Sequence, residues 1–518
     1  TPTAQQPWDM KGFQVPGGAS IALPAIGTLF TVATARVARA TLHNYPAPIA
    51  ILSAAFEGAQ LPIGRGLAIE TKYFARLVTG PVARNLIRTM FVNKGLADKL
   101  ERRPADVPKS VVHTLGVLGA GMMGTGIAHV AAQAGIDVVL LDSTVEQAEN
   151  GKTRVANQLR KDVEKGRSTQ GWADAILARI QATADPARLD GCDLVVEAVF
   201  ENREVKADVT RKAEAVLPKS AVFASNTSTL PITGLAGASK RPKQFIGIHF
   251  FSPVERMPLV EVIVGRKTSG ETLARALDFV GQLRKTPIVV NDSRNFYTSR
   301  VFATYCHEGR ALLKEGVDPA LIENAARAAG MPVGPLAVAD EVSLELQWNV
   351  LRQTRDDLGD RFAEPVALDV LQRLVVDLGR MGRKSGGGFY EYPAGGRKFL
   401  WPGLAQHYPR AGVQPSADEV RKRLMYIQAI EAARCLDEGV VTRAAEADLG
   451  SVLGWGFPAY TGGTISFIET VGLAAFVEEC RGLSRACGPR FKPPRGLIER
   501  ARRGERYYPG RRSVPMVS

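Results

Sequence analysis

The sequence predicts a mainly parallel α/β domain, preceded by a helical segment and followed by two all-α domains duplicated from one unit. Three observations predict it. Between residues 111 and 293 short apolar runs alternate with helical stretches, the pattern of strands joined by crossover helices. Beyond 293 the strand-like runs fade. Within that helical part "RVFATYCHEGRALLKEGV" (300–317) matches "RLMYIQAIEAARCLDEGV" (423–440), and "AAGMPVGPLAVADEVSLE" (328–345) corresponds to "VLGWGFPAYTGGTISFIE" (452–469). Such self-similarity reports a duplicated unit.

Residues 1–110 read as a loop followed by helices. "IGRGLAIETKYFARLVTGPVARNLIRTMFVNKGLADKL" has apolar residues at helical spacing and ends in the proline-punctuated "ERRPADVPKS", which sets a boundary near 110. Gly12 to Ala35 carries no charge, but Pro16, Gly17, Gly18, Pro24 and Gly27 argue against a spanning helix. The chain opens on Thr1 rather than Met, which reads as a fragment or a processed form.

At 518 residues and 45% hydrophobic the chain exceeds what one core holds, and the boundaries expected are 1–110, 111–293, 294–397 and 398–518. Five scattered cysteines form no C-x-x-C and no metal-spaced cluster, which fits a reducing, cytoplasmic setting without structural zinc. The formal charge of +14 suits any polyanion and selects none. The basic run "RGLIERARRGERYYPGRR" lacks interleaved aromatics of an RNA-binding kind and reads as solvated surface.

The strands expected are "VHTLGVLG", "VVLLD", "CDLVVEAVF", "AVFASN", "QFIGIHF", "LVEVIVG" and "TPIVVND". After the first, "GVLGAGMMGTGIA" places Gly119, Gly121 and Gly124 in G-x-G-x-x-G register, with Met123 inside the loop. The first glycine permits the tight turn, the second admits a pyrophosphate, and the third lets helix pack on strand. Asp142, 23 residues after Gly119 at the end of the second strand, stands where an acid holds the adenine ribose, so the domain is of the Rossmann type. Its charge, with Ser143 and Thr144 next to it and no Arg, favours NAD over NADP. The plainer role for Asp142 is a helix N-cap.

His249 sits inside the apolar run "GIHFFSPVERMPLVEVIVG", with Glu261 twelve residues later across a connection containing Pro253 and Pro258. Such a histidine is ordinarily a satisfied core residue. Its place near the ligand crevice of an open sheet, and an acid that a returning chain brings back, make it a candidate base for hydride removal from an alcohol.

Together "GAGMMGTGIA", "VVEAVFEN", "SNTSTL", "GIHFFSPVERMPLVEV", "GPLAVAD" and "GRKSGGGFYEY" resemble the NAD-dependent L-3-hydroxyacyl-CoA dehydrogenases of fatty-acid β-oxidation, over residues 111–393. The repeat at 418–475 resembles the second C-terminal domain of the multifunctional β-oxidation proteins. Residues 1–109 resemble the helices that follow a hydratase domain there, and the hydratase core itself is not found in the chain.

The resemblance implies that His249 takes the proton of the 3-hydroxyl, that Glu261 orients it, and that Ser228 hydrogen-bonds the reacting oxygen. It implies that Glu201, Lys206 and Lys384 lie near the cofactor and that Lys165 serves the CoA phosphates. For Ser228 turn formation is the plainer role, and for the charged residues solvent exposure. Two positions depart from the family: Ser252 and Ser299 stand where Asn is usual, a shorter group with fewer donors. Asn295 replaces a glycine in the same turn. The resemblance also implies an acyl-CoA substrate, a thiolase subunit and a hydratase domain or subunit as partners. Two other readings stay open at this stage: a β-hydroxyacid dehydrogenase with a lysine base, and a binding or structural relative that keeps the NAD fold without turnover.

Overall fold

In the computed structural model, which describes residues 5–20 and 23–508, the end of the basic run, from residue 509 on, lies outside the described part. Eight strands form one sheet: β1 (Thr114–Leu118), β2 (Asp137–Leu141), β3 (Ile180–Thr183), β4 (Leu194–Glu197), β5 (Val222–Ser225), β6 (Phe245–Phe250), β7 (Leu259–Val264) and β8 (Thr286–Asn291). Their order is β3-β2-β1-β4-β5-β6-β7-β8. Every neighbouring pair is parallel except β6 with β7. The central strands are buried on both faces, which is why they read as continuous apolar runs. Successive residues serve opposite layers: Val138 joins the core beneath the helices Met122–Gln133 and Gly270–Gln282, and Val139 joins the core on the other face. Strand β3 was not expected. It is a four-residue edge, "IQAT", with one buried position, so it carries no apolar run to reveal it.

The second core runs on from the sheet into the second helical repeat, taking in Tyr297, Tyr426, Ile465 and Phe476. That repeat also covers the β8 edge. Val289 N donates to Glu446 Oε1 (2.9 Å) and Asn291 N to Val440 O (2.8 Å), so an edge open to intermolecular pairing is closed within the chain.

The two repeats meet through equivalent helices, Thr298–Lys314 and Ala417–Asp437. Arg300 Nε donates to Glu431 (2.5 Å) and its two terminal nitrogens to Glu438 (2.5 and 3.1 Å). Arg423 Nε donates to Glu308 (2.6 Å) and its terminal nitrogens to Glu315 (2.5 and 2.8 Å). Arg423, Glu431 and Glu438 occupy the repeat positions of Arg300, Glu308 and Glu315, so each repeat offers the other the same guanidinium and the same two acids. This is the reciprocal contact of a two-fold interface, here inside one chain. The stretch between the repeats holds a small antiparallel pair, Tyr390–Glu391 with Phe399–Leu400.

At the N-terminus the helices Pro24–Thr41 and Ile63–Val78 bury no residue, and Pro46–Gly58 buries only Ala50. Among the described residues no helix is long and apolar enough to cross a membrane. Residues 85–103 dock firmly: Thr89 Oγ1 donates to Gly462 O (2.6 Å), Thr286 Oγ1 to Asp98 (2.7 Å) and Arg103 to Asp278 (2.7 Å).

Candidate active site

Strand order places the candidate residues in a row. Asp142 follows β2, Gly119 follows β1, Glu201 follows β4, Ser228 follows β5 and His249 lies one residue from the end of β6. Strands β2-β1-β4-β5-β6 are neighbours, so all five lie along one carboxyl-end edge, where open α/β sheets bind ligands.

Gly119 has φ +99°, and a Cβ there would meet Ala198 O at 2.8 Å. A Cβ on Gly124 would lie 1.8 Å from Gly119 O, so the helix rests against the turn, whereas one on Gly121 would enter open space. No side chain caps the Met122–Gln133 helix, and its first amides are free to receive an anion. The loop therefore fits a dinucleotide pyrophosphate. Asp142 Oδ2 accepts from Ala120 N (2.6 Å) and Oδ1 from Ser143 N (2.7 Å), which ties the acid to the glycine loop. The N-cap of the next helix is Thr144, which accepts from Gln147 N (3.2 Å), so Asp142 is not that cap.

His249 and Glu261 are direct partners across the antiparallel β6–β7 pair. His249 Nδ1 lies 3.0 Å from Glu261 Oε2, with the imidazole 9% exposed and the acid fully buried. A carboxylate accepts only, so Nδ1 carries the proton and Nε2 is left as the basic nitrogen. Glu261 Oε1 also accepts from the amides of Tyr297 and Thr298 (both 3.0 Å), and Oε2 from Thr298 Oγ1 (2.6 Å). These amides open the Thr298–Lys314 helix, whose N-cap Tyr297 gives no side-chain cap. The acid thus fills the capping role, and the helix dipole favours its charge. The rings of Phe251 and Phe296 shield the imidazole, with centroids 4.5 and 6.4 Å away.

A second buried cluster supports the loop carrying Ser228. Glu201 Oε1 accepts from Thr227 Oγ1 (2.5 Å), Ser228 N (3.2 Å) and Thr229 Oγ1 (2.8 Å). Burial pushes the Glu201 carboxyl up, but Lys206 and these hydroxyls outweigh it and hold it below the usual range. Lys206 is 2% exposed, and its ammonium donates to Glu197 (2.8 Å) and pairs with Glu201 (3.3 Å). Glu197 also accepts from Ser225 Oγ (2.8 Å).

The model of the 3-hydroxyacyl-CoA dehydrogenase NAD-binding domain matches residues 114–293, and that of its C-terminal domain matches residues 296–392. The chain belongs to the 3-hydroxyacyl-CoA dehydrogenase family. Its fold is the family's Rossmann-like domain with a helical C-terminal part, and its activity is NAD-dependent 3-hydroxyacyl-CoA dehydrogenation in fatty-acid oxidation. The fatty acid oxidation complex subunit alpha of Shewanella halifaxensis is 36% identical over 485 residues, which are 93% of this chain and 67% of that protein. The 3-hydroxybutyryl-CoA dehydrogenase of Escherichia coli superposes with a TM-score of 0.65 at 25% identity, over 76% of this chain and 98% of its own. The (S)-3-hydroxybutyryl-CoA dehydrogenase of Ralstonia eutropha gives 0.52 at 34%, over 55% of this chain and 100% of its own.

In this dehydrogenase the remaining candidates differ in burial and in partners. Ser252 Oγ lies 3.8 Å from Met122 Sδ, which joins the end of β6 to the glycine loop. Met123 is half-buried in that loop, and Ser299 is half-buried beside Thr298. Lys165 and Lys384 are exposed, and neither side chain has a hydrogen bond or ion pair among the described residues. Asn295 has φ +63°, a left-handed conformation that Asn tolerates better than other side chains do. That explains Asn where a glycine is usual. The sequence did not point to Thr298, to Glu197, or to Asn226, whose Oδ1 accepts from Phe250 N (2.8 Å) and ties β5 to β6. Only "SNTSTL" and the acid before "AVF" hinted at the last two.

Proposed function

We propose that His249 is the general base that removes the 3-hydroxyl proton of a (3S)-3-hydroxyacyl-CoA, and that Glu261 fixes its tautomer and stabilises the imidazolium. The observation that carries this is the 3.0 Å Nδ1–Oε2 contact at a directly paired position of β6 and β7. A buried carboxylate that accepts from one imidazole nitrogen leaves the other with its lone pair free to take a proton. Ser228, held by Glu201, supplies a hydroxyl to the reacting oxygen, and Ser299 a second short donor.

NAD, when bound, accepts the hydride from C3. The residues that would hold it are Gly119, Gly121, Met123 and Gly124 at the pyrophosphate and Asp142 at the adenine ribose, with Glu201, Lys206, Ser252 and Lys384 on the same side. Lys206 acts there through the carboxylates it pairs with, since its ammonium is buried. Lys165 is free to meet CoA phosphates.

The units of this reading are residues 1–110, 111–293, 294–397 and 398–518. The curated relative extends beyond the share matched here and is named as a complex subunit, which supports a thiolase subunit and a hydratase domain or subunit as working partners. Five free cysteines, four of them buried, support a reducing, cytoplasmic setting.

The test is turnover of (3S)- and (3R)-3-hydroxybutyryl-CoA with NAD and with NADP. The reading expects activity confined to the 3S substrate and NAD; equal rates with both cofactors would overturn the assignment of Asp142. A relative that binds without turnover would show NADH binding and no rate with any of the four combinations.

A further inference from the structure

Three of the hydrogen bonds on Glu261 come from residues 297 and 298, so the placement of that turn sets where the carboxylate points, and through it the imidazole. The turn is not self-supporting. Asn295 and Phe296 both have positive φ, +63° and +48°, a backbone that persists only when its surroundings over-determine it.

On one side of the turn Asn295 N donates to Thr229 O (3.1 Å); on the other, Tyr297 and Arg300 are held by the second repeat. Tyr297 is fully buried; its hydroxyl donates to Ala447 O (2.8 Å) and lies 3.2 Å from Thr464 Oγ1. Its ring rests on bare backbone: a Cβ at Gly450 would sit 2.9 Å from Tyr297 Cε1. One turn later Arg300 is clasped by Glu431 and Glu438. The partners of Tyr297 and Arg300, namely Ala447, Thr464, Gly450, Glu431 and Glu438, all lie beyond residue 392, where the matched dehydrogenase unit ends.

We propose that Tyr297 and Arg300 are positioning residues, through which the second repeat holds the turn that aims Glu261 at His249. A continuous run of contacts then leads from Ala447 and Thr464 through Tyr297 and Glu261 to the imidazole, and the duplicated repeat has a task in the reaction although it carries none of the reacting groups. The inference rests on the reading of His249 as base and Glu261 as its orienting acid.

The test uses the full chain and the oxidation direction, comparing wild type with Tyr297→Phe, Arg300→Lys and His249→Gln for kcat, KM and the pH dependence of kcat/KM. Tyr297→Phe keeps the ring and removes one hydroxyl. It is expected to lower kcat roughly tenfold, because a small misplacement of a catalytic group is costly, while both KM values stay within about twofold. The acid limb of kcat/KM moves to lower pH, since a less well aimed carboxylate stabilises the imidazolium less. Arg300→Lys, which loses the bidentate contact but keeps the charge, shifts the limb in the same direction by less. Should Tyr297→Phe not fold, Thr464→Val and Glu438→Gln, changed on the second-repeat side alone, carry the same expectation.

Wild-type kcat with an unmoved acid limb in these variants, beside an inactive His249→Gln, would overturn the inference and leave the base assignment standing. A loss of kcat with the limb unmoved would also overturn it, as the mark of a purely structural role. Full turnover by His249→Gln would sink the base assignment, and the inference with it.

Discussion

His249 and Glu261 face each other across the antiparallel β6–β7 pair, the one such pair among the eight described strands of the main sheet, Nδ1 to Oε2 at 3.0 Å, with the acid at zero exposure. The reversal of direction at β7 is what brings a residue twelve positions away to the imidazole. A parallel continuation would have sent it to the far end of the sheet.

Glu261→Gln keeps the shape and removes the charge. An amide cannot accept from His249, Thr298 and two backbone amides at once, so the imidazole loses its fixed tautomer. The expected fall in kcat is roughly two to four orders of magnitude, with NADH affinity retained, as steady-state kinetics and fluorescence titration would record.

Gly121→Ala and Gly124→Ala separate binding from folding. The Gly124 Cβ would strike Gly119 O at 1.8 Å, whereas the Gly121 Cβ meets nothing within 4 Å. Gly124→Ala is expected to lower Tm, while Gly121→Ala keeps Tm and weakens NADH binding roughly tenfold, about 1.4 kcal/mol.

Lys206→Met leaves the Glu197 carboxylate, 1% exposed, without its cation. The expected destabilisation is about 3–5 kcal/mol, measurable by urea unfolding. Kinetics should then show the Ser228 loop loosened, because Glu201 loses the same partner.

Ser299→Asn restores the longer donor usual in the family. One added hydrogen bond to substrate is expected to raise kcat/KM for acyl-CoA roughly three- to tenfold, with the KM for NAD unchanged. Full kinetics on both substrates check it.

Asp448 sets a stability dependence of known sign. Burial pushes its pKa up to about 6 from 3.8, against the opposing hydrogen bonds of Ser466, Tyr508 and Ile465. The folded state thus binds the proton more tightly than the unfolded chain does. Its contribution is fully present below the ordinary carboxylate value and is lost as pH rises through about 6. The stability of wild type minus that of Asp448→Asn should therefore decline across that window, by on the order of 3 kcal/mol, in urea unfolding at several pH values.

Much of this was legible before any coordinates, and for physical reasons. The glycine loop and Asp142 are local in sequence, so spacing alone placed them. His249 and Glu261 could be named because a buried charge in an apolar run is costly and calls for a partner. Thr298, Tyr297 and Asn226 could not, because hydroxyl and amide residues of this kind stand at many turns; only the tertiary approach of a helix start to β7 gives the first two work, and only the pairing of β6 beside β5 gives Asn226 its own. Strand β3 was hidden by its edge position. The repeat was visible as a pattern, but its reciprocal ion pairs required knowing that the two helices face each other.

The measurement to make first is acetoacetyl-CoA-dependent oxidation of NADH by wild type and His249→Gln, with NADH binding measured on both. Turnover by wild type and a near-complete loss in the variant, at NADH affinities within a few-fold of each other, is the outcome expected of a chain whose base is His249. Equal turnover by the two proteins would show that the proton leaves by another route.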